Sequence, residues 1–111
     1  PRLIESDGVV FVSPIYYYGM NSQIKSAIDR FYACDAALHK PKKAALILSF
    51  ADDTMESADG AIASFNGMIN FLGWENAGII AAKGCFNVND VDNTSYLKDA
   101  GELAVRFKEK L

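Results

Sequence analysis

An α/β fold built on a parallel sheet is what this sequence predicts, and three observations predict it. Three apolar runs of strand length, Val9 to Val12, Ala44 to Phe50 and Ala77 to Ala82, alternate with stretches of helical periodicity. The runs are continuous rather than alternating, as in strands covered on both faces. Turn and capping residues separate them, and strand–helix order repeated three times calls for right-handed crossovers.

The elements follow in chain order. "PRLIESD" reads as the tail of a preceding helix, and Val9 to Val12 as the first strand. Ser13-Pro14 is expected to stop that strand, because proline lacks the N–H that a central ladder needs. Asn21 or Ser22 can cap a helix whose Ile24, Ala27, Ile28 and Phe31 form one apolar stripe. Lys25 and Asp29 stand i, i+4 on its surface, Arg30 can bridge to a loop or a second subunit, and all three read as structural. Lys40, Lys42 and Lys43 around Pro41 read as a solvated loop, with His39 a surface residue beside it.

After the strand "AALILSF", the stretch "ADDTMESADG" is a polar loop or helix entry in which Asp53 and Glu56 are spaced as a capping box. Ile62, Phe65, Ile69 and Leu72 keep helical spacing, and Gly73 closes that helix. "AGIIAA" is the third strand and "KGCFNVNDVDN" a loop. Thr94 opens a last helix with Leu97, Ala100, Ala104, Phe107 and Leu111 on one face. Gly60 and Gly101 interrupt helical patterns and blur the boundaries near them.

Composition narrows the function classes. The chain has 111 residues, half of them hydrophobic, enough for one domain with a core of its own. A net charge of −3 argues against nucleic acid or an anionic membrane surface as partner, since each requires clustered basic side chains. No apolar run approaches the ~20 residues of a membrane span. Cys34 and Cys85 lie far apart, fit no metal or redox spacing, and read as buried thiols of a reducing cytoplasm. No metal site and no catalytic acid, base or nucleophile is indicated.

Parallel α/β sheets place ligands at the carboxyl ends of their strands, so the loops "SPIYYYGMNS", "SFADDTMESADG" and "KGCFNVNDVDNT" hold the candidate site. The first is the most informative. Three consecutive tyrosines, Tyr16 to Tyr18, precede Gly19 and make an aromatic wall. Such a wall suits a flat conjugated ligand. It equally suits the rim of a subunit contact. Successive side chains diverge, so only one or two tyrosines are expected to face a single ligand.

"DGVVFVSPIYYYGMNSQIKSAIDRFY" resembles a segment of the flavodoxin-like NADPH-dependent FMN reductases, whose relatives include iron–sulfur flavoproteins and quinone reductases: Asp-Gly, apolar strand, Ser-Pro-x-Tyr, then Lys ahead of Ile-Asp-Arg. "KKAALILSFADD" is similar to that family's next strand and loop, and "FLGWENAGIIAAKGCFNVNDV" with the following "SYLKDAGELA" to its last strand and helix. The resemblance implies FMN and NAD(P)H as cofactors, transfer of electrons to a small-molecule acceptor such as a quinone or free flavin, and a homo-oligomer. It assigns the isoalloxazine to Ser13, Pro14, Ile15, Tyr16, Tyr17, Tyr18, Gly19, Met20 and Asn21 on the first loop. Phe50, Ala51, Asp52 and Asp53 are assigned to the ring's pyrimidine edge. Two carboxylates sit awkwardly beside a flavin that becomes anionic on reduction, and Asp52 and Asp53 read alternatively as caps of the next helix.

The family binds the FMN phosphate on a loop after its first strand, and the sequence shows no counterpart. Residues 1–111 therefore read as one partial flavodoxin-like domain, matching the third, fourth and fifth strands of a 2-1-3-4-5 sheet. Two expectations follow: an exposed apolar edge at Val9 to Val12, and weakened flavin affinity. Competing readings are a flavodoxin-type FMN electron carrier and a fragment of a larger flavoprotein that binds nothing.

Overall fold

The computed structural model describes residues 2–87 and 89–108. A short helix, α1 (Arg2–Glu5), leads into β1 (Gly8–Tyr16), which turns back as the two-residue β2 (Gly19–Met20). Helix α2 (Ser22–Asp29), a 3-10 segment (Arg30–Cys34) and α3 (Asp35–Leu38) carry the chain to β3 (Lys43–Ser49). A 3-10 turn (Met55–Ala58) runs into α4 (Asp59–Leu72), followed by β4 (Glu75–Ala82), a 3-10 turn (Asp90–Asn93) and α5 (Tyr96–Lys108).

The sheet has the order β2-β1-β3-β4. β1 and β4 both lie parallel to β3, and β2 pairs antiparallel with the end of β1. The parallel three-layer arrangement is thus the predicted one. On one face Phe11, Leu46, Leu48 and Ala81 pack against Leu38, Ala61, Phe65, Ile69 and Leu72 from α3 and α4. Phe11 meets Phe65 edge-on at 6.0 Å between ring centroids. The buried Trp74 donates its indole N–H to the Leu38 carbonyl at 2.9 Å, tying the ends of α3 and α4 together. On the other face Ala45, Ile47 and Ile80 meet Tyr96, Ala100, Leu103 and Phe107 of α5.

Two caps are as expected. The Asn21 side chain accepts the Ile24 N–H at 2.9 Å and starts α2, and Gly73 ends α4 in the left-handed region at φ 76°.

Other expectations are corrected. β1 is covered on one face only: Val10 is 45% and Val12 60% exposed, because α5 lies over β3 and β4 and no described residue pairs with the outer side of β1 before Ile15. Pro14 does not stop the strand, which continues to Tyr16; on an outer strand a missing N–H leaves no ladder bond broken. Lys42 and Lys43 are buried, not solvated. Lys42 Nζ donates to the carbonyls of Ile4 and Ser6 at the end of α1, and Lys43 Nζ to the Arg106 carbonyl at 2.9 Å. Their ammonium groups thus serve orphan carbonyls of two helices.

The inward face of α5 runs through Tyr96, Ala100, Leu103 and Phe107, leaving Leu97 and Ala104 exposed; Leu111 lies outside the described residues, as does Pro1. α2 ends at Asp29, so Phe31 packs from the 3-10 segment against Phe11 and Trp74, and Ala27 is exposed. Cys34 and Cys85 are free and half-buried. Lys25 and Asp29 form the expected exposed ion pair.

Candidate functional site

The loops after β1 and β3 meet at the carboxyl end of the sheet and enclose a cleft of about 280 Å³. Ile15, Tyr17 and Tyr18 form one wall; Phe50, Ala51 and Asp52 form the other; Ser57 lies between them.

The first wall is a hairpin. Ile15 pairs with Met20 and Tyr16 with Gly19, leaving Tyr17 and Tyr18 as a two-residue turn. Both take positive φ, 49° and 69°. Two-residue hairpins favour this geometry because its twist matches that of the strands, but they normally fill it with Asn and Gly. For other L-residues the left-handed conformation costs roughly 1–2 kcal/mol each.

Buried Ser13 anchors the base of the hairpin. Its hydroxyl donates to the Pro14 carbonyl at 2.7 Å and accepts the Asn21 N–H at 2.9 Å. Asn21 in turn caps α2, so one chain of hydrogen bonds runs from strand through turn to helix.

The second wall is held by main-chain pairing with the chain leaving β4. Phe50 N–H donates to the Ala82 carbonyl at 3.1 Å, Cys85 N–H to the Phe50 carbonyl at 2.9 Å, and Gly84 N–H to the Asp52 carbonyl at 2.8 Å. Phe50 is buried, so this wall has a rigid base. The Asp52 carboxylate accepts the Ser57 hydroxyl at 2.8 Å. Asp53 points elsewhere, 3.9 Å from Lys83 Nζ in an exposed ion pair. The expected Asp53–Glu56 capping box is not formed: Thr54 caps the 3-10 turn through Oγ1. A Thr one residue further on reaches the amide that Asp53 was expected to take.

Of the thirteen residues expected at the site, Ile15, Tyr17, Tyr18, Phe50, Ala51 and Asp52 line the cleft. Ser13 and Asn21 brace it from behind, Met20 packs toward the core, and Tyr16 is exposed beside its ladder partner Gly19. Pro14 lies within β1, and Asp53 is turned to Lys83. Two tyrosines of the three thus share one concavity. Ser57 was missed; a serine within the polar stretch after β3 carries no sequence signal that sets it apart from its neighbours.

Chemically the cleft is a slot with aromatic sides and a carboxylate already occupied by a hydroxyl. It suits a planar conjugated ring, for which Tyr17 and Tyr18 offer exposed aromatic surface and Ile15 and Ala51 apolar surface, with Phe50 buried as the base beneath. A second cavity, also about 280 Å³, lies between β3, β4 and α5 under the Asp90–Asn93 turn, lined by Ile47, Ile80, Val91 and Tyr96 among others. It is walled by one sheet face and one helix and has a single aromatic side chain, so it matches a planar ring less well.

Residues 1–90 match the family model described as NADPH-dependent FMN reductase. Among solved structures, the chain is similar to the Trp repressor binding protein from Bacillus subtilis, with TM-score 0.70, 20% identity, and 99% of this chain against 67% of that one covered. It is also similar to a thermophilic tryptophan halogenase from Streptomycin violaceusniger, with TM-score 0.65, 12% identity and coverage of 99% and 71%. At such identities these likenesses speak for the fold alone. No curated protein matches the sequence significantly.

Proposed function

The chain belongs to the NADPH-dependent FMN reductase family, and from that premise we propose that it is an NAD(P)H-dependent FMN oxidoreductase passing electrons to a small acceptor such as a quinone or free flavin. FMN and NADPH are the cofactors that membership in this family brings. When bound, the flavin supplies the redox chemistry, taking hydride from the nicotinamide and giving electrons onward.

The chain's own residues bind and orient. Tyr17 and Tyr18 offer one side of the slot, and Phe50 and Ala51 the other. Asp52 is held back by Ser57, and Asp53 is offset by Lys83, so neither carboxylate is left without a partner beside a cofactor that gains negative charge. The Ser57 hydrogen bond orients the Asp52 carboxylate without neutralising it, whereas Asp53 has a cation, Lys83, to offset its charge. No proton donor is required of the lining residues for hydride transfer.

The observation that carries this proposal is the left-handed Tyr17-Tyr18 turn at the cleft. Strain of this kind persists where the surroundings over-determine it, and it clusters at ligand clamps.

The 99% exposure of Tyr17 supports a second possibility, a flavodoxin-type electron carrier whose open cleft mouth meets a partner protein. Rapid mixing of FMN-loaded protein with NADPH separates the two: fast bleaching of the flavin absorbance is expected, and an unbleached flavin would favour the carrier. A visible spectrum of FMN-reconstituted protein after desalting, showing no retained flavin, would count against both. No helix among the described residues is long and apolar enough to cross a membrane. The two free thiols support a cytoplasmic setting, and the family resemblance supports a homo-oligomer.

A further inference from the structure

We propose that Ser57 and Gly60 form the spacer that sets the separation of the two cleft walls, making them positioning residues for the ring bound between. The inference rests on the flavin assignment for its ligand, though not for its geometry.

Both walls lean on the same turn of chain, where the 3-10 segment Met55–Ala58 passes into α4. Ser57 holds the second wall through its hydroxyl, which donates to Asp52 Oδ2 at 2.8 Å. Three residues later, Gly60 receives the first wall. A Cβ built on Gly60 would lie 2.7 Å from the carbonyl oxygen of Tyr18 and 3.8 Å from its carbonyl carbon. Real Cβ atoms do not approach backbone that closely, so any side chain at position 60 must push the hairpin away from α4. Residues i and i+3 lie on one side of a helical turn, so the hydroxyl and the bare Cα present themselves to the two walls together.

The strain in the turn then has a local support. Tyr17 and Tyr18 are held in the left-handed region by the Asn21–Ser13 hydrogen bond at the hairpin's base and by contact with Gly60 at its tip. Gly67, in the same helix, has nothing within 4 Å of its Cβ position and serves as the matched control.

The test compares Gly60→Ala, Gly67→Ala and Ser57→Ala with the wild-type chain by two measurements. Amide hydrogen exchange reads the hairpin without any flavin, and FMN titration by fluorescence quenching reads the cleft. For Gly60→Ala the Asn21 and Gly19 amides are expected to exchange at least tenfold faster, those of β3 to stay unchanged, and FMN affinity to fall about tenfold. Gly67→Ala should match wild type in both. Ser57→Ala should weaken FMN about threefold while leaving hairpin exchange alone. Wild-type exchange and affinity in a folded Gly60→Ala would overturn the proposal. If Gly60→Ala does not fold, Ser57→Ala decides, and unchanged FMN affinity there overturns it. If wild type binds no FMN, the flavin assignment fails, and the exchange measurement alone decides whether Gly60 positions the hairpin.

Discussion

Strands β1 and β3 run side by side, share an apolar composition, and occupy different surroundings. β3 has a strand on each side and helices over both faces, so Ala44, Ala45, Leu46 and Leu48 are all buried. β1 buries Phe11 and Ser13 on one face, while Val10 and Val12 stand open on the other. An apolar run therefore records a capacity for burial, and the neighbours decide whether the capacity is used. The same contrast extends to the loops that follow. The loop after β3 is laced by main-chain bonds to the chain beyond β4, whereas the loop after β1 must bend back on itself and accept two strained tyrosines.

Four variants break or sharpen the comparison. Leu46→Ala in β3 removes a fully buried side chain and is expected to cost about 2–5 kcal/mol, read by urea denaturation. A loss below ~1 kcal/mol would erase the difference between the strands. Ser13→Ala comes next. It leaves the Asn21 N–H without its acceptor in a part-buried place, and a loss of about 1–3 kcal/mol is expected, accompanied by weaker FMN binding.

The double change Tyr17→Asn, Tyr18→Gly tests strain directly. It installs the pair that this turn geometry favours, so thermal unfolding should show a gain of about 1 kcal/mol. FMN affinity should fall at least tenfold in the same protein. Stability and binding moving together would mean that the turn is not strained for the ligand's sake. Val12→Thr is the smallest. At an open position it should shift stability by no more than about 0.5 kcal/mol. A larger loss would mean that this face is covered in solution, which sedimentation velocity across a concentration series would reveal.

Much of the fold was legible because local rules governed it. Phe65, Ile69 and Leu72 keep 3.6-residue spacing, Gly73 has the freedom a helix end demands, and Asn21 carries the short acceptor a helix start needs. The slot between the two loops was legible as well, since loops after parallel strands converge. Where two local choices were nearly equal, tertiary contact decided. In α5 both Tyr96 and Leu97 could have faced the sheet; Tyr96 does, together with Leu103, and Leu97 is left outside. Lys42 and Lys43 read as solvated because charge usually is, whereas carbonyls at the ends of α1 and α5 accept from their ammonium groups and help make their burial tolerable. Gly60 carried no signal of its own, because what occupies the place of its missing side chain is Tyr18, over forty positions away in sequence order.

By itself the sequence determined the order of strands and helices, their parallel arrangement and the two loops that meet above them. Those features depend on periodicity, on proline and glycine, and on short-range hydrogen bonding, all of which act within a few residues. Tertiary structure alone decided which face of β1 is covered, where the two buried lysines find acceptors, and how Ser57 and Gly60 come to stand between the walls of the cleft. These depend on which distant segments occupy the same space, and no spacing along the chain encodes that.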